Sequence, residues 1–384
     1  MSKILLFVVA VLASTPLLSV AAMAETNTWS LASPDKQCEI SVSLEQGRLN
    51  YQASRDGKMV IQKSPLGLLR DDQNFQRGLS FERAGKITSR CEKYELLAGV
   101  QPRVDHRLNF RSLAFRNARG GTIEIDLAAS DEGVAFRYRF PDTNNSIHVV
   151  ESESTGFVLP LNARGWLQPY HSAGPYTPAY EDFYFHVSPG DAPPNSRQEA
   201  KGWAFPALFD VPEAASWVLL TESGTDESFC ACHLAPDSAN GLYHIAFPLA
   251  DETTRGYTNQ FGPEPRFTLP WTLPWRVLVL GKAAGDIATA TLVTDLAPPS
   301  RVTDTSWIKP GRASWAWWSY PDGPATINVF GKFTDFAAKM GWEYTLFDAG
   351  WRKFNLPLIA SYARQKGIMP LAWNFAGEIG RAHV

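Results

Sequence analysis

Arg312-Ala313-Ser314-Trp315-Ala316-Trp317-Trp318-Ser319, then Ile327–Met340, Tyr344-Thr345-Leu346-Phe347-Asp348, Leu356–Gln365 and the run 369–375, is the stretch that decides the fold. The first, third and fifth pieces are short apolar runs that read as strands, and the two between them read as amphipathic helices. This β-α-β-α-β order opens either a doubly wound sheet or a (β/α)8 barrel. The first strand lacks the Gly-rich turn of a nucleotide-binding fold, which favours the TIM barrel. Immediately upstream, Ala297-Pro298-Pro299-Ser300 has the composition of a linker.

Before that linker the grammar is different. From Trp29 to about Leu280, short alternating runs are separated by turn residues, as in 38–44, 49–54, 121–127, 134–140, 217–221 and 275–280. Asp56-Gly57 supplies a hairpin turn, and Asp131-Glu132-Gly133 precedes another strand. A long series of hairpin-linked strands with no sustained helical period predicts an antiparallel β-sandwich over 25–296. The segment 170–194, rich in Pro, Tyr, Gly and acid, reads as a long loop carrying function.

The chain of 384 residues is 45% hydrophobic and 20% charged, enough for two domains with separate cores. A net charge of −3 and the lack of a Lys/Arg run exclude a phosphate-reading surface, so neither nucleic acid nor an anionic membrane is expected as a partner. The 13 Trp are suited to stacking on sugars, although large β-domains also use Trp as core.

Met1-Ser2-Lys3, the apolar run 4–13 and the small-residue stretch ending Ala22-Met23-Ala24 form a secretory signal with cleavage before Glu25. That apolar run is shorter than the roughly 20 residues of a spanning helix, so no membrane span is expected and the mature protein is periplasmic or extracellular. Export permits disulfides among Cys38, Cys91, Cys230 and Cys232. Cys230-Ala231-Cys232 reads as strand, with both thiols on one face, which makes a bond between them poor. A zinc site from Cys230, Cys232 and His233 has no standard spacing.

A closed barrel takes about 250 residues, so the segment 297–377 holds only its first β/α units and most of the barrel is expected to be missing. The last seven residues, 378–384, match the translation of a common sequencing-adapter read and are read as an artefact, with native sequence ending near Gly377.

Several motifs, in order, carry a resemblance. Ser33-Pro34-Asp35 with Val42-Ser43-Leu44, Ser64-Pro65-Leu66-Gly67-Leu68, Gly202-Trp203-Ala204-Phe205-Pro206-Ala207-Leu208-Phe209 and Trp217-Val218-Leu219-Leu220-Thr221-Glu222 are similar to glycoside hydrolase family 97. Leu273-Pro274-Trp275-Arg276, Gly311-Arg312-Ala313-Ser314-Trp315-Ala316-Trp317-Trp318 and Phe347-Asp348-Ala349-Gly350-Trp351 extend it past the linker. The resemblance implies an exo-acting α-glucosidase or α-galactosidase acting on oligosaccharides, with a calcium ion at the active site. It also implies that Glu181, in Tyr180-Glu181-Asp182, is a calcium ligand. One carboxylate cannot hold calcium alone, so the other ligands are expected beyond the break.

Glycoside hydrolysis needs two carboxyl groups flanking the scissile bond. The family's inverting members carry a base Glu after the third barrel strand, where this chain reads Ala372-Trp373-Asn374-Phe375. That departure resembles the retaining branch, whose nucleophilic Asp and acid/base Glu lie on later strands. The 384-residue chain is therefore expected to hold no catalytic carboxylate and to be inactive alone. Four residues are substrate-binding candidates. Asp348 ends the second barrel strand, where such enzymes present active-site side chains, and competes with a role capping the loop before Gly350. Trp373 and Asn374 end the third strand, and His171 lies in the long loop. Alternation along the first strand sends Trp315 and Trp317 to one face and Trp318 to the other. The competing reading is a carbohydrate-binding sandwich without catalysis.

Overall fold

The computed structural model describes residues 27–171, 182–196, 199–250, 263–320 and 326–374. Its larger part is a β-sandwich, as the alternating pattern predicts. Cys38–Glu45 shows why: Cys38, Ile40, Val42 and Leu44 point inward and the intervening residues outward. This strand pairs antiparallel with Arg48–Arg55. Asp56 and Gly57 then adopt φ of 50° and 73°, the primed hairpin turn that feeds Lys58–Leu66. A nine-stranded and an eleven-stranded sheet enclose the main core, in which Trp203, Trp271, Phe136 and Tyr138 are fully buried.

Trp275–Gly281 is buried along its whole length and pairs with both Ser216–Ser223 and Gly133–Phe140. Leu278 and Leu280 face the main core. Trp275, Val277 and Val279 face a second cluster with Leu292 and Leu296, on the outer side of the sheet. Burial on both faces accounts for the unbroken apolar run in this strand. The outer cover is made by two helices, Ala284–Thr289 and Leu292–Leu296, which a reading based on helical period misses. At 6 and 5 residues they are too short to show one.

Arg276 shares the inward face with Leu278 and is 1% exposed. Its Nε lies 2.9 Å from Glu153 Oε1, its Nη1 donates to Glu222, and its Nη2 reaches Glu153 Oε2 and, at 3.5 Å, Cys232 Sγ. Cys232 belongs to an irregular segment, correcting the strand expected at 230–232; pairing begins only at His233–Leu234. All four cysteines are free thiols, and Cys230, Cys232 and His233 do not converge into a metal-sized cluster.

After the linker, Ala313–Trp315, Tyr344–Phe347 and Met369–Ala372 form a parallel sheet in chain order. Helix Ile327–Met340 is started by Thr326, whose side chain accepts from Val329 N, and stopped by Gly341 at φ 64°. Helix Leu356–Gln365 is capped by Asn355 and followed by Gly367 at φ 77°. Phe330, Ala337, Phe347, Ile359, Ala363 and Ile368 join helices and sheet in a third core. The first strand is shorter than the expected 312–319, because 316–319 turn away as a bend. The third ends at Ala372 rather than 375, and the residues from 375 lie outside the described set. Among the described residues no helix is long and apolar enough to cross a membrane.

Replacing Arg276 by Met leaves two glutamates buried without their counter-charge. Urea unfolding of Arg276→Met is expected to show a loss of about 3–5 kcal/mol; a loss below about 1 kcal/mol would contradict the ion cluster as drawn.

Candidate functional site

A parallel sheet gathers the ends of its strands at one rim, and this rim collects three of the sequence candidates. Asp348 directly follows Tyr344–Phe347. One carboxylate oxygen accepts from Trp315 Nε1, on the neighbouring strand, and the other accepts from Ala349 N at 2.6 Å. Trp373 continues the sheet, its N–H donating to Phe347 O at 2.9 Å. Gly350, at φ 92°, turns the chain after Asp348 so that Trp351 folds back and its Nε1 donates to Trp373 O at 2.8 Å. Arg352 Nη2 donates to Asn374 Oδ1 at 3.3 Å. Asp348, Trp373 and Asn374 are thus held at the C-terminal rim by partners on the first two strands and in the turn that follows the second.

The sequence reading missed those partners. Trp315, which alternation placed on one face of the first strand with Trp317, orients the Asp348 carboxylate. Because the first strand stops at Trp315, it is Trp318 that lies over it, ring centroids 5.2 Å apart and tilted by 48°. Trp318 is 82% exposed. A fixed carboxylate beside exposed indole is suited to a sugar, whose hydroxyls donate to oxygen while its C–H face lies on a ring.

His171 stands elsewhere, on the short strand Pro169–His171 of the sandwich. It is buried, and its Nε2 lies 2.9 Å from Asp182 Oδ2. Ser196 Oγ donates to the same oxygen, and Phe183 N donates to Oδ1 at 2.7 Å. Burial pushes the Asp182 carboxyl upward, but these hydrogen bonds outweigh it and hold the group below its usual range. Glu181, the expected calcium ligand, lies outside the described residues.

Next to His171, Tyr170 stacks flat on His233, with ring centroids 3.8 Å apart and planes within 2°. Gly202 makes room for this pair: a Cβ there would sit 2.7 Å from His233 Cδ2 and 2.2 Å from Leu234 O. His233 went unnoticed as a candidate of its own because nothing in Ala231-Cys232-His233-Leu234 marks it as stacked. It is 1% exposed, and burial pushes its imidazole down to about 4.

Calcium takes six to eight oxygen ligands. Among the described residues, the side chains close enough to share a cation are Asp71, Asp72 and His148, and His106, Glu132 and Asp295. Neither set is at the strand-end rim. Asp182 is engaged by His171, Ser196 and Phe183, and the described residues of the strand-end rim do not assemble a calcium site.

The neutral state of His233 has a consequence for acid stability. An unfolded histidine titrates near 6.5 and the folded one near 4, so between these values the unfolded chain binds more protons. The contribution of His233 is complete above pH 6.5 and falls by up to about 3 kcal/mol as the pH drops to 4. His233→Phe keeps the stack without the titration, and its denaturation midpoint is expected to vary less over this range; an unchanged pH profile would show that His233 is not the group.

With the geometry established, three comparisons place the chain. The family model described as "Glycosyl-hydrolase 97 N-terminal" matches residues 31–299. A probable retaining alpha-galactosidase of Streptomyces bingchenggensis is 29% identical over 95% of this chain and 55% of its own length. A retaining alpha-galactosidase of Bacteroides thetaiotaomicron is 24% identical over 90% and 55%. Among solved structures, a beta-arabinopyranosidase superposes with a TM-score of 0.78 at 28% identity, covering 90% of this chain and 55% of that one. A family 97 enzyme of Pseudoalteromonas sp. strain K8, in complex with panose, superposes with a TM-score of 0.74 at 22% identity, over 89% and 53%, and bears on the fold alone. The chain spans about half the length of the curated relatives it matches. With the family model covering most of the sandwich, the chain belongs to glycoside hydrolase family 97.

Proposed function

We propose that this chain is the N-terminal portion of an exported, retaining, exo-acting α-glycoside hydrolase that prefers α-galactosides to α-glucosides. The observation that carries the reading is the strand-end rim: Asp348 held by Trp315 and Ala349, with Trp373 and Asn374 beside it and no Glu where the inverting pattern would have one. The match to two curated proteins named as retaining alpha-galactosidases supports the galactoside preference. In this reading Asp348 accepts hydrogen bonds from substrate hydroxyls, and Trp318 and Trp373 border the sugar. The nucleophilic Asp and the acid/base Glu belong to later barrel strands, outside the 384 residues, so the chain alone does not turn over substrate. Glu181 supplies one oxygen ligand to calcium, which contributes a fixed positive charge at the site when bound.

The full-length protein tests this. Followed by NMR, hydrolysis of an aryl α-galactoside should release the α-anomer first, proceed faster than that of the α-glucoside, and stop on calcium chelation. A β-anomer would overturn the retaining assignment, and no turnover of either would favour a sandwich that only binds carbohydrate.

Two substitutions in the full-length protein address named residues. Asp348→Ala should lower kcat/KM on the order of 100-fold with the fold intact by circular dichroism, as expected when a charged hydrogen-bond acceptor for substrate is lost. An effect below about threefold would reduce Asp348 to a loop cap. Glu181→Gln should weaken calcium binding about tenfold or more by titration calorimetry; unchanged affinity would remove it from the ligand set.

A further inference from the structure

Where the sandwich hands over to the linker, a second group of ionisable side chains is built from four separate elements, none of them part of the strand-end rim. His106 lies on the strand Arg103–Arg116. Its Nδ1 is 3.0 Å from Asp295 Oδ2, and its Nε2 is 3.8 Å from Glu132 Oε1. Asp295 belongs to the helix Leu292–Leu296, and its side chain is fully buried. Glu132 sits in the turn between Thr122–Ser130 and Gly133–Phe140, and its Oε2 accepts from Thr291 N at 2.7 Å, at the start of that helix. From the strand Thr88–Glu95, Tyr94 donates its hydroxyl to Asp295 Oδ1 at 2.6 Å. Thr291 Oγ1 lies 3.1 Å from His106 Nδ1.

The two carboxylates face different nitrogens of one imidazole. A doubly protonated ring has an N–H on each nitrogen and serves both acids. We propose that His106 is a proton-operated fastener: as imidazolium it ties the helix Leu292–Leu296 to the sandwich through Asp295 and Glu132, and on losing its proton it loosens that helix, which leads directly into the linker.

The surroundings agree in sign. Burial works against the charged ring, but the hydrogen bond to Asp295 and the charges of Glu132, Asp295 and Asp131 outweigh it, so His106 titrates above its ordinary value. Glu132 is likewise pushed up, chiefly by burial. The other charged neighbours are Arg90 and Glu92, paired with each other on the facing strand, with Arg90 Nη2 also 3.5 Å from Asp295 O. A group with a raised folded value contributes its full stabilisation below the unfolded value near 6.5 and loses it as the pH rises through the folded one. The fastener therefore holds in acid and loosens toward alkaline pH, opposite to the His233 effect.

Hydrogen exchange of the 384-residue chain, read by mass spectrometry at pH 5.5 and 8.5 and corrected for intrinsic exchange, tests this. Peptides covering 290–297 should open on the order of tenfold more readily at pH 8.5, the scale of one charge-assisted hydrogen bond. The strand Trp275–Gly281 should not change. In His106→Gln, which carries no charge at either pH, the 290–297 peptides should open readily at both. Equal protection at both pH values in the unaltered chain, or an unaltered pH response in His106→Gln, would overturn the proposal. Should His106→Gln fail to fold, the His106 ring titrated by NMR replaces it. Its midpoint is expected above that of a free histidine and to fall in Glu132→Gln; a midpoint at or below the free value would overturn the proposal.

Discussion

One guanidinium fixes how the sandwich closes. Arg276 lies on the inward face of Trp275–Gly281, clasped by Glu153 and Glu222 from two other strands. A charge in such a place is tolerable only with both partners present. A one-residue slip of Trp275–Gly281 would turn Arg276 outward, into the apolar cluster of Leu292 and Leu296, and would leave Glu153 buried alone. The register in which Glu222 faces Arg276 is thereby singled out. That register also puts Trp275, Val277 and Val279 on the outer face, where they create the seat for the helix Leu292–Leu296.

From this seat the chain runs on toward the strand-end rim. The helix is covered on one side by apolar packing and bound on the other by the His106 group, and the chain leaves it through Ala297-Pro298-Pro299-Ser300. Beyond the linker, parallel pairing imposes a common direction on three strands, so residues far apart in sequence reach the same rim. Trp315 and Asp348, 33 residues apart, form a hydrogen bond because each lies at the end of its strand. The carboxylate then has a fixed orientation before any substrate arrives, which is the preorganisation a binding site needs. Arg352 and Trp351 extend the same order to Asn374 and Trp373.

Local chemistry decided what was legible in the sequence. The two longer helices were readable from their amphipathic pattern, and in the fold Thr326 and Asn355 cap their starts while glycines at 341 and 367 follow their ends. The hairpin at Asp56-Gly57 was readable because few other residue pairs take positive φ twice. Residues 316–319 misled, since Ala316-Trp317-Trp318-Ser319 has a strand's composition but a bend's conformation. Cys230-Ala231-Cys232 also has a strand's composition, but it is irregular, and pairing starts only at His233. At the rim, the positions of Asp348, Trp373 and Asn374 followed from the strand order, since parallel strands bring their C-terminal ends together. Their partners did not follow, because which indole meets which carboxylate depends on register across a sheet. His171 was legible only as a loop residue; its buried pairing with Asp182, which Ser196 also holds, required the folded chain.

The proposed activity is cleavage of α-galactosides through a covalent intermediate by a full-length protein, with the first barrel strands binding the sugar without reacting with it. Trapping the full-length enzyme with an activated fluorosugar of the galacto series, followed by intact mass and peptide mapping, tests this most directly. The account predicts one label per chain, on an aspartate outside residues 1–384. Hydrolysis without any trapped species, or a label on Asp348, would contradict it.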